Sequence, residues 1–369
     1  MPSVTQARFD TVREDGSFDG DAVWNDMQQA FATAAAAWPT QLCEASYRFA
    51  GRPVRLRVVG RELFGHIGKP FVHLRVHESP PPELTVELWD DRSIASLPTP
   101  EDADGQTLWR EATLRSSDDR FIAQHLPHTR SCLDRSAGRL VAGIAWHDAI
   151  FIYERSKPLA RLLLTWYNDR QVQMIHTGLV ARHGTGVLIG GKSGSGKSTS
   201  VLVSVMGGLD YLSEDYVGLE TAADGTFVGH SVYNSVFLNS DHLKRFPELA
   251  PHTINGRPPQ EEKSVVILSQ VYPERLARTA AIRAIVFPLL VDEALEARLR
   301  PMSKGAALLS LAPSSLLQIP NRQLGAAGFD RLAQLVERVP CFQMVVGSTF
   351  GSIPRCLEDL IAAVAPCER

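Results

Sequence analysis

The sequence predicts an α/β protein, with a mixed α+β N-terminal domain over residues 1–155 and a domain over 156–369 in which strands and helices alternate around a glycine-rich loop. Three observations carry this. The N-terminal part combines one stretch of helical periodicity with segments of period two. From about residue 155 strand-like and helix-like pieces alternate, the pattern of a sheet covered by helices. Within that region the apolar run "GTGVLIGG" feeds directly into glycines and then into the helical "STSVLVSVMGG".

The first helix is set by Trp24, Met27, Phe31 and Ala35 in "DAVWNDMQQAFATAAAAWPTQL", and Pro39 stops it. Next, "YRFAGRPVRLRVVG" alternates apolar and polar residues on both sides of a turn at "AGRP", which predicts a β-hairpin. "ELTVELWD" repeats the period of two, after the proline-rich connection "HESPPPE". In the C-terminal region the expected strands are "DYLSEDYVGLE", "SVVILSQ", "AIRAIVFPLLV" and "CFQMVVG"; the expected helices are "FDRLAQLVERV" and "CLEDLIAAV". No internal repeat or long low-complexity tract interrupts this order.

Composition narrows the function classes. Of 369 residues, 44% are hydrophobic and 21% charged, an ordinary globular balance. Thirty-eight basic against 41 acidic residues leave a formal charge of −3, so no global field draws nucleic acid or an anionic membrane, and neither is expected as a partner. No run approaches the ~18 apolar residues of a membrane span, and "MPSVTQARFDTVREDG" lacks the apolar core of a secretory signal. The cytoplasm is therefore the expected compartment. Cys43, Cys132, Cys341, Cys356 and Cys367 are widely spaced, form no metal-like pattern, and read as reduced thiols.

Chemistry concentrates in one stretch. Gly191, Lys192, Ser193, Gly194, Ser195, Gly196, Lys197 and Ser198 fit GxxxxGK[ST] in full, with Thr199 next in the helix that follows. Glycines let successive backbone N–H groups turn inward onto phosphate oxygens, and a helix N-terminus adds partial positive charge. Lys197 is placed to reach the β and γ phosphates, and the Ser198 hydroxyl to hold Mg²⁺. A nucleotide triphosphate and Mg²⁺ are the ligands this implies. An acidic group on a second strand is also needed, and two pairs compete: Asp292-Glu293 at the end of "IVFPLLVDE", and Glu214-Asp215 at the end of "YLSED", where Asp215 comes 17 residues after Ser198.

The stretch "IHTGLVARHGTGVLIGGKSGSGKSTSVLVSVMGGLDYLSEDYVGLE" resembles the catalytic domain of the HPr kinase/phosphorylase family and of the related serine kinases. Their P-loop domain is akin to that of phosphoenolpyruvate carboxykinase. In that family a histidine lies 15 residues before the first P-loop glycine, which here is His176, and the proton-accepting aspartate lies 17 residues after the Mg²⁺-binding serine, which here is Asp215. The C-terminal "VERVPCFQMVVGSTFGSIPRCLEDLI" resembles the family's closing strand and helix, and "LTVELWD" its N-terminal region. Family members commonly carry a pair of aspartates where this chain has Glu214-Asp215; the downstream glutamate that completes the metal site has no counterpart in "GHSVYNSVFLNSDHLKRFPEL".

The resemblance implies a C-terminal P-loop domain of the HPr kinase/phosphoenolpyruvate carboxykinase type and an ATP- and Mg²⁺-dependent kinase. Its acceptor is a serine hydroxyl of a protein or peptide, including a modified-peptide precursor, or free serine. Lys197, His176 and Asp215 are then the catalytic residues, with Ser198 and Glu214 at the metal. Asp215 acts either as proton acceptor or as a plain metal ligand, and His176 either hydrogen-bonds phosphate or steadies Asp215. A regulator that binds ATP and hydrolyses it slowly is the rival reading. Related kinases associate, so a homo-oligomer is expected. The N-terminal domain shows no chemistry of its own, and its expected part is acceptor recognition.

Overall fold

The structure is a computed structural model, and it describes residues 17–78, 80–91, 113–126, 128–145, 150–192, 194–255, 263–293, 295–316 and 322–366. The chain divides into two compact units, Met1–Lys69 with Arg75–Trp166, and Pro70–Leu74 with Tyr167–Arg369.

The first unit is built on a mixed sheet of nine strands among the described residues: β1 (Ser17–Phe18), β2 (Leu42–Phe49), β3 (Arg52–Val59), β4 (Arg75–Val76), β5 (Leu84–Asp90), β6 (Thr113–Ser116), β7 (Phe121–Leu126), β8 (Thr129–Asp134) and β9 (Arg139–Ile144), in the order β1-β6-β7-β8-β9-β5-β3-β2-β4. The hairpin read at "AGRP" is β2 and β3, turning through Ala50 and Gly51, both at positive φ. Helix α1 (Gly20–Ala37) starts where the Asp19 carboxylate accepts the Ala22 N–H at 3.0 Å. It lays Val23, Trp24, Met27 and Phe31 onto Val59, Trp89, Phe121 and Val141 of the sheet. Shorter helices α2 (Arg61–Gly68), α3 (Ile152–Ser156) and α4 (Ala160–Asp169) follow.

The second unit holds the glycine loop. Its main sheet contains β10 (Gln173–His176), β11 (Gly178–Arg182), β12 (Thr185–Ile189), β13 (Asp210–Ser213), β14 (Tyr216–Thr221), β15 (Phe227–Ser231) and the 12-residue β19 (Thr279–Leu290), in the order β10-β14-β15-β19-β12-β11-β13. β21 (Cys341–Val346) adds to β19 in parallel, and β20 (Arg298–Pro301) pairs with β21. A small sheet of β16 (Ser235–Leu238), β17 (Thr253–Asn255) and β18 (Ser264–Ile267) lies apart, with helix α6 (Ser240–Arg245) after β16. Two apolar layers enclose the main sheet. On one face α5 (Lys197–Met206) and α9 (Ile353–Val364) bury Val201, Leu202, Val205, Leu357 and Leu360 against Val187, Ile189 and Val286. On the other, α7 (Lys304–Leu316) and α8 (Arg322–Arg338) bury Leu311, Leu332 and Leu335 against Leu188, Ile285 and Phe287. This is a mixed α/β architecture, in line with the fold class read from the sequence.

Two elements differ from expectation. "DYLSEDYVGLE" is two strands, because at Glu214-Asp215 the backbone leaves the ladder: the Asp215 N–H donates to Ser213 Oγ at 3.1 Å, and the Ser213 hydroxyl donates to the Tyr216 carbonyl at 2.7 Å. "SVVILSQ" is a strand only to Ile267 and then closes into a 3₁₀ turn over Leu268–Gln270.

Candidate active site

The site forms where two antiparallel chain segments break opposite one another. β10 pairs with β14 up to His176 opposite Tyr216, and β11 pairs with β13 from Leu179 opposite Ser213. Between these registers lie Thr177-Gly178 on one segment and Glu214-Asp215 on the other. The Thr177 N–H turns back to the Ile175 carbonyl at 3.2 Å, so both segments are released from the ladder at the same level. β11 runs antiparallel to β12 and to β13, so the C-terminal ends of β12 and β13 share one end of the sheet, and both lead to it the residues that carry charge.

β12 delivers the glycine loop to that end. Gly191, Gly194 and Gly196 have φ of +133°, +78° and +94°, a conformation that a side chain would strain. A Cβ on Gly191 would also lie 2.6 Å from Ser195 Oγ. The Ser195 hydroxyl is enclosed in the loop and has no hydrogen-bond partner among the described residues. Such a cradle, with turned backbone and an unspent hydroxyl, fits phosphate oxygens. Ser193 lies outside the described residues. Lys197, the first residue of α5, folds back so that Nζ donates to the Gly191 and Lys192 carbonyls at 2.8 and 3.2 Å. Burial pushes its ammonium below the ordinary lysine range and the nearby Lys263 adds to this, while the Asp215 and Glu214 carboxylates oppose it. Thr199 is buried in the first turn of the same helix.

The acidic pair of β13 meets the loop. The Ser198 hydroxyl donates to the Glu214 carboxylate, and Glu214 is buried. Two hard oxygen donors together suit Mg²⁺, which takes one or two protein oxygens and fills its octahedron with water and phosphate. Asp215 Oδ1 stands 2.5 Å from His176 Nε2, and the His176 ring lies against Tyr216 with centroids 5.9 Å apart. His176 and Asp215 keep 25% and 15% of their side-chain surface exposed, so the pair can be reached from solvent. The competing pair, Asp292-Glu293, follows β19 as solvent-facing turn residues, with the Glu293 carbonyl accepting the Ser348 N–H at 3.1 Å.

The geometry therefore brings together Lys197, Ser198, Glu214, Asp215 and His176. Sequence reasoning missed Ser213, which turns the backbone at the acidic pair, and Ser315, whose Oγ accepts the His176 N–H at 3.2 Å. A serine between apolar strand residues was the only trace of the first. Nothing local marked the second. Among the described residues no three His, Cys, Asp or Glu side chains cluster as a metal site, and no helix is long and apolar enough to cross a membrane.

No protein-family model matches the chain, and no curated protein matches it. Among solved structures it is similar to the Hpr(Ser) kinase/phosphatase from Coxiella burnetii, at 14% identity and a TM-score of 0.27, over 52% of this chain and 89% of that one. A likeness this distant carries nothing about the site, whose reading rests on its own side chains.

Proposed function

We propose that the chain is an ATP- and Mg²⁺-dependent kinase that transfers the γ-phosphoryl group to a hydroxyl, serine of a protein or peptide being the acceptor. One observation carries the reading: the carboxylate next to the one that meets the P-loop serine is itself held by a histidine, at 2.5 Å, and remains open to solvent.

Phosphoryl transfer asks for charge neutralisation and for an oxygen nucleophile placed in line. The loop amides and Lys197 supply the first, Lys197 by leaving the Gly191 and Lys192 carbonyls for phosphate oxygens. Ser198 and Glu214 would hold Mg²⁺, which would supply further charge neutralisation on the phosphates. Asp215 takes the proton of the acceptor hydroxyl as its oxygen bonds to the γ-phosphorus; the bond to the β,γ-bridging oxygen breaks, and ADP leaves with that electron pair. His176 fixes the Asp215 carboxylate through Oδ1, 2.5 Å from Nε2.

The test is incubation with Mg-ATP and serine-containing proteins, peptides and free serine, read by mass for an added phosphate. Removing a general base costs ~10²–10⁴-fold in rate, so Asp215→Asn is expected to lower transfer by that order while nucleotide binding persists. Transfer that survives Lys197→Ala rules out the site. ADP release with no phosphorylated acceptor moves the reading to a slow ATPase.

A further inference from the structure

We infer that Ser315 is a positioning residue for the His176–Asp215 pair, an inference that rests on the reading of that pair as the proton-accepting unit. β10 is an edge strand, so the amides that face away from β14 need another partner. For His176 that partner is Ser315 Oγ, at 3.2 Å.

The serine stands out against its helix. Ala307, Leu311 and Ser315 follow one another at four-residue spacing along the buried stripe of α7, and Ser315 is fully buried. An apolar residue would suit the stripe, since a buried hydroxyl costs stability unless it is hydrogen-bonded. Here it is used at the point where β10 ends and the chain turns at Thr177.

His176 is thus held from both sides. Tyr216 lies opposite it across the ladder, and Ser315 takes its outward amide. With the backbone set, the ring lies against Tyr216 and Nε2 stands 2.5 Å from Asp215 Oδ1. Because α7 holds His176 through the main chain, the imidazole is left for the carboxylate. Partners that orient a metal ligand from behind change activity by ~10–100-fold when removed, and the lower end of that range is expected for a group that sets the main chain under His176.

Ser315→Ala in the full chain is the test. The expected result is a fall in kcat for phosphoryl transfer of about tenfold, a nucleotide KM within about twofold of the parent, and faster hydrogen exchange at the His176 amide by NMR. Ser315→Cys, which keeps a weak acceptor at that place, is expected between the two. Ser310→Ala, on the same helix, removes a hydroxyl that donates to the Ala306 carbonyl of its own helix, and should leave transfer unchanged. A lowered melting temperature with unchanged kcat and unchanged His176 exchange would make Ser315 merely structural and overturn the inference. If the parent protein phosphorylates no acceptor, the kinase reading fails separately, and His176 amide exchange in Ser315→Ala still decides whether the tether exists.

Discussion

Removing the His73 ring should weaken the protein at neutral pH and, by a smaller amount, in acid. His73 belongs to the short segment Pro70–Leu74 that packs within the C-terminal unit. Its Nε2 is 2.7 Å from Ser231 Oγ, and its Nδ1 is 3.2 Å from Asn234 Nδ2. The Ser231 hydroxyl donates to the Leu212 carbonyl at 2.6 Å, so it accepts from His73, which makes Nε2 the protonated nitrogen and Nδ1 the acceptor. Ser231 and Asn234 are both buried. His73→Ala deletes two hydrogen bonds at ~1 kcal/mol each and leaves a buried amide hydrogen without a partner, so we expect a loss of about 3 kcal/mol at pH 7.5.

The acid side follows from the ring's titration. Burial, with the Arg278 charge second, pushes His73 from 6.5 down to about 3. Between these values the unfolded chain binds the proton and the folded one does not. The contribution of the neutral ring is complete above pH 6.5 and is lost as pH falls toward 3. At ~1.4 kcal/mol per pH unit the bound at pH 5 is about 2 kcal/mol; the ring keeps part of its surface in solvent, so about 1 kcal/mol is a better figure. Urea unfolding of parent and variant at both pH values measures this. The difference between them should shrink from about 3 to about 2 kcal/mol. A difference that is independent of pH, or below about 0.5 kcal/mol throughout, refutes the assigned tautomer and its burial.

Two further outcomes are expected. Glu214→Gln keeps the shape beside Ser198 but removes the charge, and the Mg²⁺ concentration for half-maximal transfer should rise about tenfold, as a metal titration of the rate would show. In Gly178→Ala the added Cβ would lie 2.4 Å from Val201 Cγ2, where β11 passes under α5. That overpacking should cost ~1–3 kcal/mol in chemical denaturation, and an unchanged midpoint would mean that strand and helix are not in close contact.

Legibility in the sequence followed the range of the physics. The helix at 20–37, the hairpin at "AGRP" and the strand before the glycine loop rest on periodicity and turn chemistry within a few residues, and each stands in the structure. The break at Glu214-Asp215 was not legible, because apolar pairs, Tyr211-Leu212 and Tyr216-Val217, flank it on both sides as they would in one strand, and the Ser213 hydroxyl diverts the backbone. His176 could be named from spacing and resemblance, but not its place 2.5 Å from Asp215, which depends on β10 pairing with β14 across 40 residues of chain. Nor does any local signal place Pro70–Leu74 in the second unit, where Asn234 binds the Pro70 carbonyl at 3.0 Å.

By itself the sequence determined the glycine loop and the helix behind it, because glycines, lysine and serine within eight positions dictate a turned backbone and the charge it carries. Tertiary structure decided which carboxylate meets it. Asp292-Glu293 and Glu214-Asp215 both follow strands on the loop's side of the sheet, yet only Glu214 meets Ser198: β19 is the direct neighbour of β12, but the chain after it turns into solvent, whereas β13, with β11 between it and β12, ends at the acidic pair. Ser315 was decided there too, since an edge-strand amide takes whichever buried acceptor packing brings within reach.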